Sequence, residues 1–471
     1  VSFPFYPYQI EGAEWLTKHK YRLLADEPGL GKTAQVIRAV DSLNVLDRIL
    51  ILCPAIARYQ WRDQFATVSC FVRRFSILEH KTASFSSSDN GTICSYDLLA
   101  TRDIAISLLL EHWNVVVLDE SHVLQNRNAQ RTIEVYQNLL RVTDRLWAVS
   151  GTPARNHAGN LYPLLRAFGA TGLDYWAFMR RFTDFSYTPY HDIRVHRSVR
   201  IPELRQLLAP IMLRRRKDEV NVQLPDLRIQ DVVVPPSEVE LRSWHHEVIM
   251  GTRTIASVQD EVSKEMVTMQ RLLDAVGAAS ESGLKAIQGL SDKCTLSRQY
   301  VALSKIPAMC EMITAELKRG DYHKIVIFGH HKSVLREVRE RMMAFHPFVL
   351  WGGTPQAKKN RYIKEFQTLA HVRVAICNIQ AAGTAITLTA AHEVAFIEQS
   401  YVPADNAQAM MRIHRLGQKE KCRARVFMLP DSIDTQVQRV LSRKMRDLCQ
   451  LLGDAMINKA PVNNPNPFEG A

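Results

Sequence analysis

"LLADEPGLGKTAQVI", residues 23–37, decides how the first part of the chain folds. An apolar start, a loop carrying Gly29 and Gly31, then Lys32-Thr33 and a helical pattern make the strand–loop–helix order that a phosphate cradle requires. In such a turn, successive backbone N–H groups and the helix N-terminus face the anion. Lys32 then reaches the β- and γ-phosphates of a nucleotide, and Thr33 offers its hydroxyl to Mg²⁺. The usual spacing asks for a glycine five residues before Gly31, where this chain has Asp26. A helix-opening turn with a solvated lysine fits the same residues, so the reading needs a second half to the site.

"NVVVLDESH" (114–122) supplies it. Asp119 and Glu120 directly follow an apolar run, at the C-terminal end of an expected strand, where open α/β sheets bind ligands. One carboxylate there holds Mg²⁺ through water, and its neighbour activates an attacking water as general base. A helix N-cap accounts for either residue singly. It does not explain both together, after a strand and downstream of a phosphate-like loop.

Around these stretches, short β-branched apolar runs alternate with helical patterns, the signature of parallel α/β layers. Strands are expected at 22–25, 48–53, 114–119 and 145–150, and in a second series at 324–329, 372–377, 393–398 and 423–429. Two series separated by other material imply two α/β lobes. Between them, 240–300 is polar with helix-like spacing and reads as a helical insertion or linker. The aromatic-rich 160–210 reads as a small helical protrusion, and the Pro- and Asn-rich end as disordered. The expected domains are 1–230, 231–300 (insertion), 301–455 and a tail, 456–471.

Length and composition agree with this division. At 471 residues the chain exceeds one ordinary core. Its 46% hydrophobic and 23% charged content is that of a globular protein. No apolar stretch approaches 20 residues, and the first fifteen residues lack the order of a signal peptide. Eight scattered cysteines without a C-x-x-C pair argue against zinc ribbons and a disulfide framework, and fit a reducing cytoplasm. A formal charge of +12 and a pI near 9.3 draw the chain to polyanions without saying which.

"DEPGLGKT", "LDESH" and "SGTPARN" (150–156) together resemble motifs I, II and III of the Swi/Snf-type ATPases of helicase superfamily two. That family commonly carries the aspartate seen at position 26, so the resemblance removes the objection to the loop. It implies two RecA-like lobes, parallel sheets flanked by helices, with ATP and Mg²⁺ as cofactors. Asp26, Glu27, Gly29, Gly31, Lys32, Thr33 and Asp119 would then line the nucleotide site, with Thr33 and Asp119 on the metal. "PYQIEGAEWL" (7–16) is similar to the upstream Q motif, where Gln9 would read the adenine edge with both ends of its amide. "LCPAIARYQWRDQF" (52–65) resembles motif Ia and "TICSYDLL" (92–99) motif Ib. This assigns Pro54, Arg58 and Trp61, with Ser150 and Thr152 of motif III, to the nucleic-acid side. The basic run Arg214 to Lys217 resembles the stretch that closes lobe one, and on charge alone it is a solvated face.

In the second series, "NAQAMMRIHRLGQKEK" (406–421) places Arg412 and Arg415 three residues apart, on one face if the stretch is helical. Two guanidinium groups presented together neutralise charge on a transferring γ-phosphoryl. The stretch resembles motif VI, with Gln408, Arg412, Arg415, Gly417 and Gln418 in register. "QAAGTAITLTAA" (380–391) resembles motif V, assigning Gly383 and Thr384 to nucleic acid, with Ala385 where glycine is usual. Met410 and Met411 stand where an acidic pair is common. "KIPAMCEMITAELKRGDYHKIVIFGHHKSVL" (305–335) and "FMRRFTDF" (178–185) bring the chain closest to the HARP-like annealing-helicase branch. The resemblance runs over about residues 3–445.

A DNA-stimulated ATPase that translocates on double-stranded or branched DNA is therefore expected, in the cytoplasm of a bacterial or viral source, or in the nucleus if the source is eukaryotic. The rival expectations are an RNA- or single-strand-directed helicase of the same superfamily, and a non-enzymatic DNA-binding scaffold.

Overall fold

The computed structural model describes residues 3–44, 46–86, 89–187, 193–220, 225–237, 295–382, 386–415, 417–430 and 432–452. The chain forms two compact units, one of residues 1–223 with 447–455, the other of residues 224–446 with 456–471.

Strands of the first unit are β1 (Tyr21–Leu24), β2 (Ile49–Cys53), β3 (Phe75–Ile77), β4 (Gly91–Ser95), β5 (Trp113–Asp119) and β6 (Thr143–Val149). A hairpin of β7 (Thr183–Tyr187) and β8 (Ile193–Ser198) follows, then β9 (Met212–Leu213). Except for the hairpin they form one parallel sheet in the order β3-β4-β2-β5-β6-β1-β9. Strands such as "ILILC" and "GTICS" are buried at every position, as parallel strands covered on both faces must be. Helices α1 (Pro7–Thr17), α2 (Lys32–Asp41) and α3 (Arg58–Val68) supply part of that cover. Leu23, Leu52, Trp113, Val116, Leu118 and Leu146 share the core, which Leu448 and Leu451 rejoin from the far end of the chain.

The protrusion is only partly the helical one expected. Helices Tyr175–Phe182 and Ile201–Leu208 bracket the antiparallel β7–β8 hairpin. "TDFSY" alternates polar and aromatic residues at period two, a strand signal that aromatic content alone conceals.

The second unit holds β10 (Leu227–Val233), β11 (Ile325–Gly329), β12 (Phe348–Leu350), β13 (Val374–Asn378), β14 (Glu393–Phe396) and β15 (Cys422–Met428). They too form one parallel sheet, ordered β10-β15-β14-β11-β13-β12. β10 pairs with β15 along its whole length, so 227–230 belong to this sheet and not to a first domain ending at residue 230. The expected insertion 231–300 is likewise corrected at both ends. Residues 231–233 finish β10, and Thr295 opens the helix Thr295–Arg319, whose buried Ile306, Met309 and Ile313 lie in this unit's core. Residues 238–294 and the expected tail lie outside the described residues, as do Gly383, Thr384 and Ala385.

Candidate nucleotide site

The site stands at the C-terminal ends of β1 and β5. Gly31 caps α2 in the left-handed region at φ 69°, and a Cβ there would come within 2.4 Å of Gln9 Nε2. Glycine alone meets both demands. Lys32 Nζ donates to the carbonyls of Asp26 (2.7 Å) and Glu27 (3.1 Å), which holds the ammonium over the loop. Burial lowers its pKa, and the nearby charges of Glu120, Asp26 and Asp119 draw it back up.

Asp26 does different work from that expected. It is fully buried and its carboxylate accepts from Arg215 Nε (3.1 Å), Arg215 Nη2 (2.7 Å), the Arg215 backbone N–H (3.0 Å) and Gln35 Nε2 (2.9 Å). Arg215 also donates to Gln35 Oε1 (2.8 Å) and the Tyr8 carbonyl (2.5 Å). A Cβ on Gly12 would lie 1.9 Å from Gln35 Oε1 and 2.6 Å from Arg215 Nη2, so α1 reaches this knot only through a glycine. The segment around β9 continues the pairing beyond β1, with Ala25 N–H to Leu213 O (2.7 Å) and Glu27 N–H to Arg215 O (3.0 Å). The Glu27 carboxylate in turn accepts from the Lys217 N–H at 2.9 Å. The basic run is thus a scaffold of the loop rather than a solvated face; Arg215 is its missed member, and the charge pattern alone held no signal for it.

Gln9 also departs from expectation. Its amide accepts from the Tyr6 N–H (3.1 Å) and donates to the Leu30 carbonyl (3.3 Å), so both ends brace backbone.

At the end of β5, Asp119 accepts from the Trp61 indole N–H (2.8 Å) and the Glu120 N–H (3.0 Å). The Tyr96 hydroxyl donates to its carbonyl at 2.8 Å. Burial and the neighbouring Glu120 carboxylate push Asp119 up to about 7, against the opposing pull of Trp61 and Lys32. Glu120 sits at φ 49°, ψ 47°, a left-handed conformation uncommon for a non-glycine residue and frequent at functional sites. Its Oε2 is 3.3 Å from His122 Nδ1, which lies 3.0 Å from Ser150 Oγ; that hydroxyl accepts from the Thr152 N–H at 3.1 Å.

Two residues assigned to nucleic acid are turned inward. Trp61 is 2% exposed and Ser150 1%, and each faces the carboxylate strand end instead. Spacing located their loops but not the direction of their side chains. Thr152 and Pro54 are half-buried; so is Arg58, whose guanidinium donates to the Ala55 (3.1 Å) and Leu78 carbonyls of its own unit. Thr33 lies half-buried in the first turn of α2, beside Lys32.

Two half-buried carboxylates stand side by side, with Lys32 near enough for both charges to act on it. That donor set fits a divalent cation, and Mg²⁺ takes one or two protein ligands when phosphates complete its shell.

In the second unit, Gln408 is buried on the helix Pro403–Met410. That helix stops before Arg412 and Arg415, so the shared helical face is not realised and both arginines stand in the following turn. Arg412 is 2% exposed, its carbonyl accepting from the Leu388 N–H at 2.9 Å. Arg415 donates to the Met411 carbonyl (3.0 Å) and Thr387 Oγ1 (3.2 Å). Gln418 secures the turn: Nε2 donates to the carbonyls of Ala391 (2.9 Å), Ile413 (3.1 Å) and Thr389 (3.2 Å), and Oε1 accepts from the N–H groups of Lys419 and Glu420.

Among the described residues no helix is long and apolar enough to cross a membrane. Comparison with known proteins gives a match to the SNF2-related domain over residues 8–281 and to the helicase conserved C-terminal domain over 304–417. The DNA annealing helicase and endonuclease ZRANB3 of Homo sapiens is 27% identical over 453 residues, covering 93% of this chain and 39% of the relative. A SWI/SNF-related matrix-associated actin-dependent regulator of chromatin subfamily A-like protein 1 homolog of Caenorhabditis elegans is 27% identical over 95% of this chain and 61% of its own length. The chain thus spans less than two thirds of these relatives. Both come from animals and lend no support to a bacterial or viral source. A solved Sulfolobus solfataricus SWI2/SNF2 ATPase core in complex with dsDNA aligns over 97% of this chain and 98% of its own at 19% identity and a TM-score of 0.44. With more than half of its length matched by one family, the chain belongs to the SNF2-related, helicase-like ATPases.

Proposed function

We propose that this chain hydrolyses ATP in a DNA-stimulated cycle and uses the cycle to move along double-stranded DNA. One observation carries the reading: Lys32, held over the glycine loop by the Asp26 and Glu27 carbonyls, and the Asp119–Glu120 pair stand at the C-terminal ends of β1 and β5 in one parallel sheet. The Gly29–Gly31 loop and Lys32 take the triphosphate. Thr33 and Asp119 hold Mg²⁺, which when bound neutralises charge on the β- and γ-phosphate oxygens. Glu120 accepts the proton of the attacking water as its oxygen bonds to the γ-phosphorus and the bond to the β-bridging oxygen breaks, leaving ADP and phosphate. Arg412 and Arg415 are assigned the charge developing on the γ-phosphoryl. Trp61 and Ser150 hold Asp119 and His122 in position, and Gln9 and Asp26 support the loop from behind. Pro54, Arg58, Thr152, Gly383 and Thr384 are kept as candidate contacts to the DNA backbone. The +12 charge favours a polyanion, and a relative named as a DNA annealing helicase favours DNA.

The test is steady-state ATP hydrolysis with no nucleic acid, single-stranded DNA, blunt duplex, forked duplex and RNA. Duplex should stimulate most, and Lys32→Ala should lower the stimulated rate by roughly 10²–10³-fold. A rate that no DNA changes overturns the reading; strongest stimulation by single strands or RNA replaces it with the rival helicase.

A further inference from the structure

The second unit carries a groove that plays no part in that chemistry. Its floor is β12, an edge strand of the sheet, one side of which pairs with no other strand among the described residues. The helices Lys332–Arg341 and Gln356–Thr368 form its walls, and it encloses about 560 Å³, within the range of ligand-holding clefts. Trp351 and Tyr362 line it together with Arg336, Arg339 and Lys358.

The lining combines flat rings with cations. The Arg336 guanidinium lies 5.8 Å from the Trp351 ring centre, and Lys358 Nζ 5.4 Å from that of Tyr362. Phe348 backs Tyr362 at 5.2 Å with an interplanar angle of 27°, which fixes that ring as a platform. The two wall helices hold eight Lys and Arg residues against three Glu. Glu340 and Glu365 also face the groove, but Glu365 is 3.5 Å from Arg361, so Arg336, Arg339 and Lys358 meet one further carboxylate, Glu340, and a cationic excess remains.

We propose that this groove binds single-stranded nucleic acid, with a base stacked on Trp351 or Tyr362 and backbone phosphates on Arg336, Arg339 and Lys358. Cations beside an aromatic ring suit a polyanion whose bases expose their faces. A duplex keeps those faces inside its own stack and offers these rings nothing. An acidic peptide satisfies the cations and leaves the rings unused. The site does not depend on the nucleotide-site reading and adds a single-strand contact to it.

The experiment uses the full chain without ATP and a fluorescently labelled oligothymidylate of about 12 nucleotides, within the length one such site occupies, followed by anisotropy. Trp351→Ala and Arg336→Ala should each weaken binding roughly tenfold, while Trp351→Phe keeps most of it. An oligomer of equal charge lacking bases should bind at least as weakly to the wild type as the thymidylate does to Trp351→Ala. Blunt-duplex binding and cooperative melting should not change in these variants. Unchanged oligothymidylate binding by Trp351→Ala overturns the proposal. So does equal binding of the base-free oligomer, or displacement of the thymidylate by polyglutamate at the same charge concentration. Parallel loss of duplex binding or melting in Trp351→Ala also overturns it, because the groove would then not be a separate site.

Discussion

The two units steady their loops in opposite ways. In the first, the phosphate-type loop is braced by a buried ion pair, with Arg215 spending its hydrogen bonds on Asp26, Gln35 and Tyr8. In the second, the arginine-bearing turn is held by a neutral amide, Gln418, bonded to backbone alone. Removing one member of a buried ion pair strands a charge away from water, whereas removing an amide costs a few ordinary hydrogen bonds. The nucleotide loop is therefore close to all-or-none, and the arginine turn gives way by degrees.

The contrast is most exposed at Arg215. Arg215→Ala leaves Asp26 buried without its cation and should cost roughly 3–5 kcal/mol, read from urea unfolding. Nucleotide binding should fall with it. Replacing both partners, Asp26→Asn with Arg215→Met, should recover much of the stability and little of the nucleotide binding. An Arg215→Ala protein as stable as the wild type breaks the comparison.

The second unit has a buried carboxylate of its own away from the turn, Glu398, and pH isolates it. Burial alone would raise the Glu398 carboxyl, but His331 and the N–H groups of His331 and His330 outweigh it and bring it down from 4.5 to about 2. A depressed carboxylate contributes stability that is fully present above its unfolded value and is lost as pH falls through the folded one. The stability difference between wild type and Glu398→Gln should therefore be level at neutral pH and shrink between pH 4.5 and about 2, by up to roughly 3 kcal/mol. A difference that does not move across that window would mean the carboxylate brings no charge-dependent support, and the contrast between units becomes stricter.

Gln418→Ala should have the smallest effect, about 1–2 kcal/mol. Its ATP turnover should fall by less than that of Arg412→Ala. A loss as large as that of Arg215→Ala would show that neutral bracing is no gentler than charged bracing.

Much of this was legible in the residues. The glycine loop and the paired carboxylates sit on loops whose backbone chemistry is written in local sequence, and long buried runs such as "ILILC" announce themselves by continuous hydrophobicity. β3, β9 and β12 are only two or three residues long and set up no period. β10 lies at an edge, and its mixture "LRIQDVV" reflects one partner strand instead of two among the described residues. Trp61, Ser150, Asp26 and Gln9 were legible as positions but their hydrogen-bond partners were not, because side-chain direction depends on neighbours far away in sequence. The expected helical face of Arg412 and Arg415 failed for a related reason. The 3.6-residue period continues smoothly through "MMRIHR", while the chain leaves the helix at Met410.

Asp26 and Arg215 are separated by 189 positions in the chain. A ribosome adding about 5–20 residues per second takes roughly ten to forty seconds to cover that distance. For that interval the nascent loop has its glycines, lysine and helix but no counter-charge behind the aspartate. The nucleotide cradle is therefore among the last parts of the first unit to be completed, although its sequence is among the first to be made.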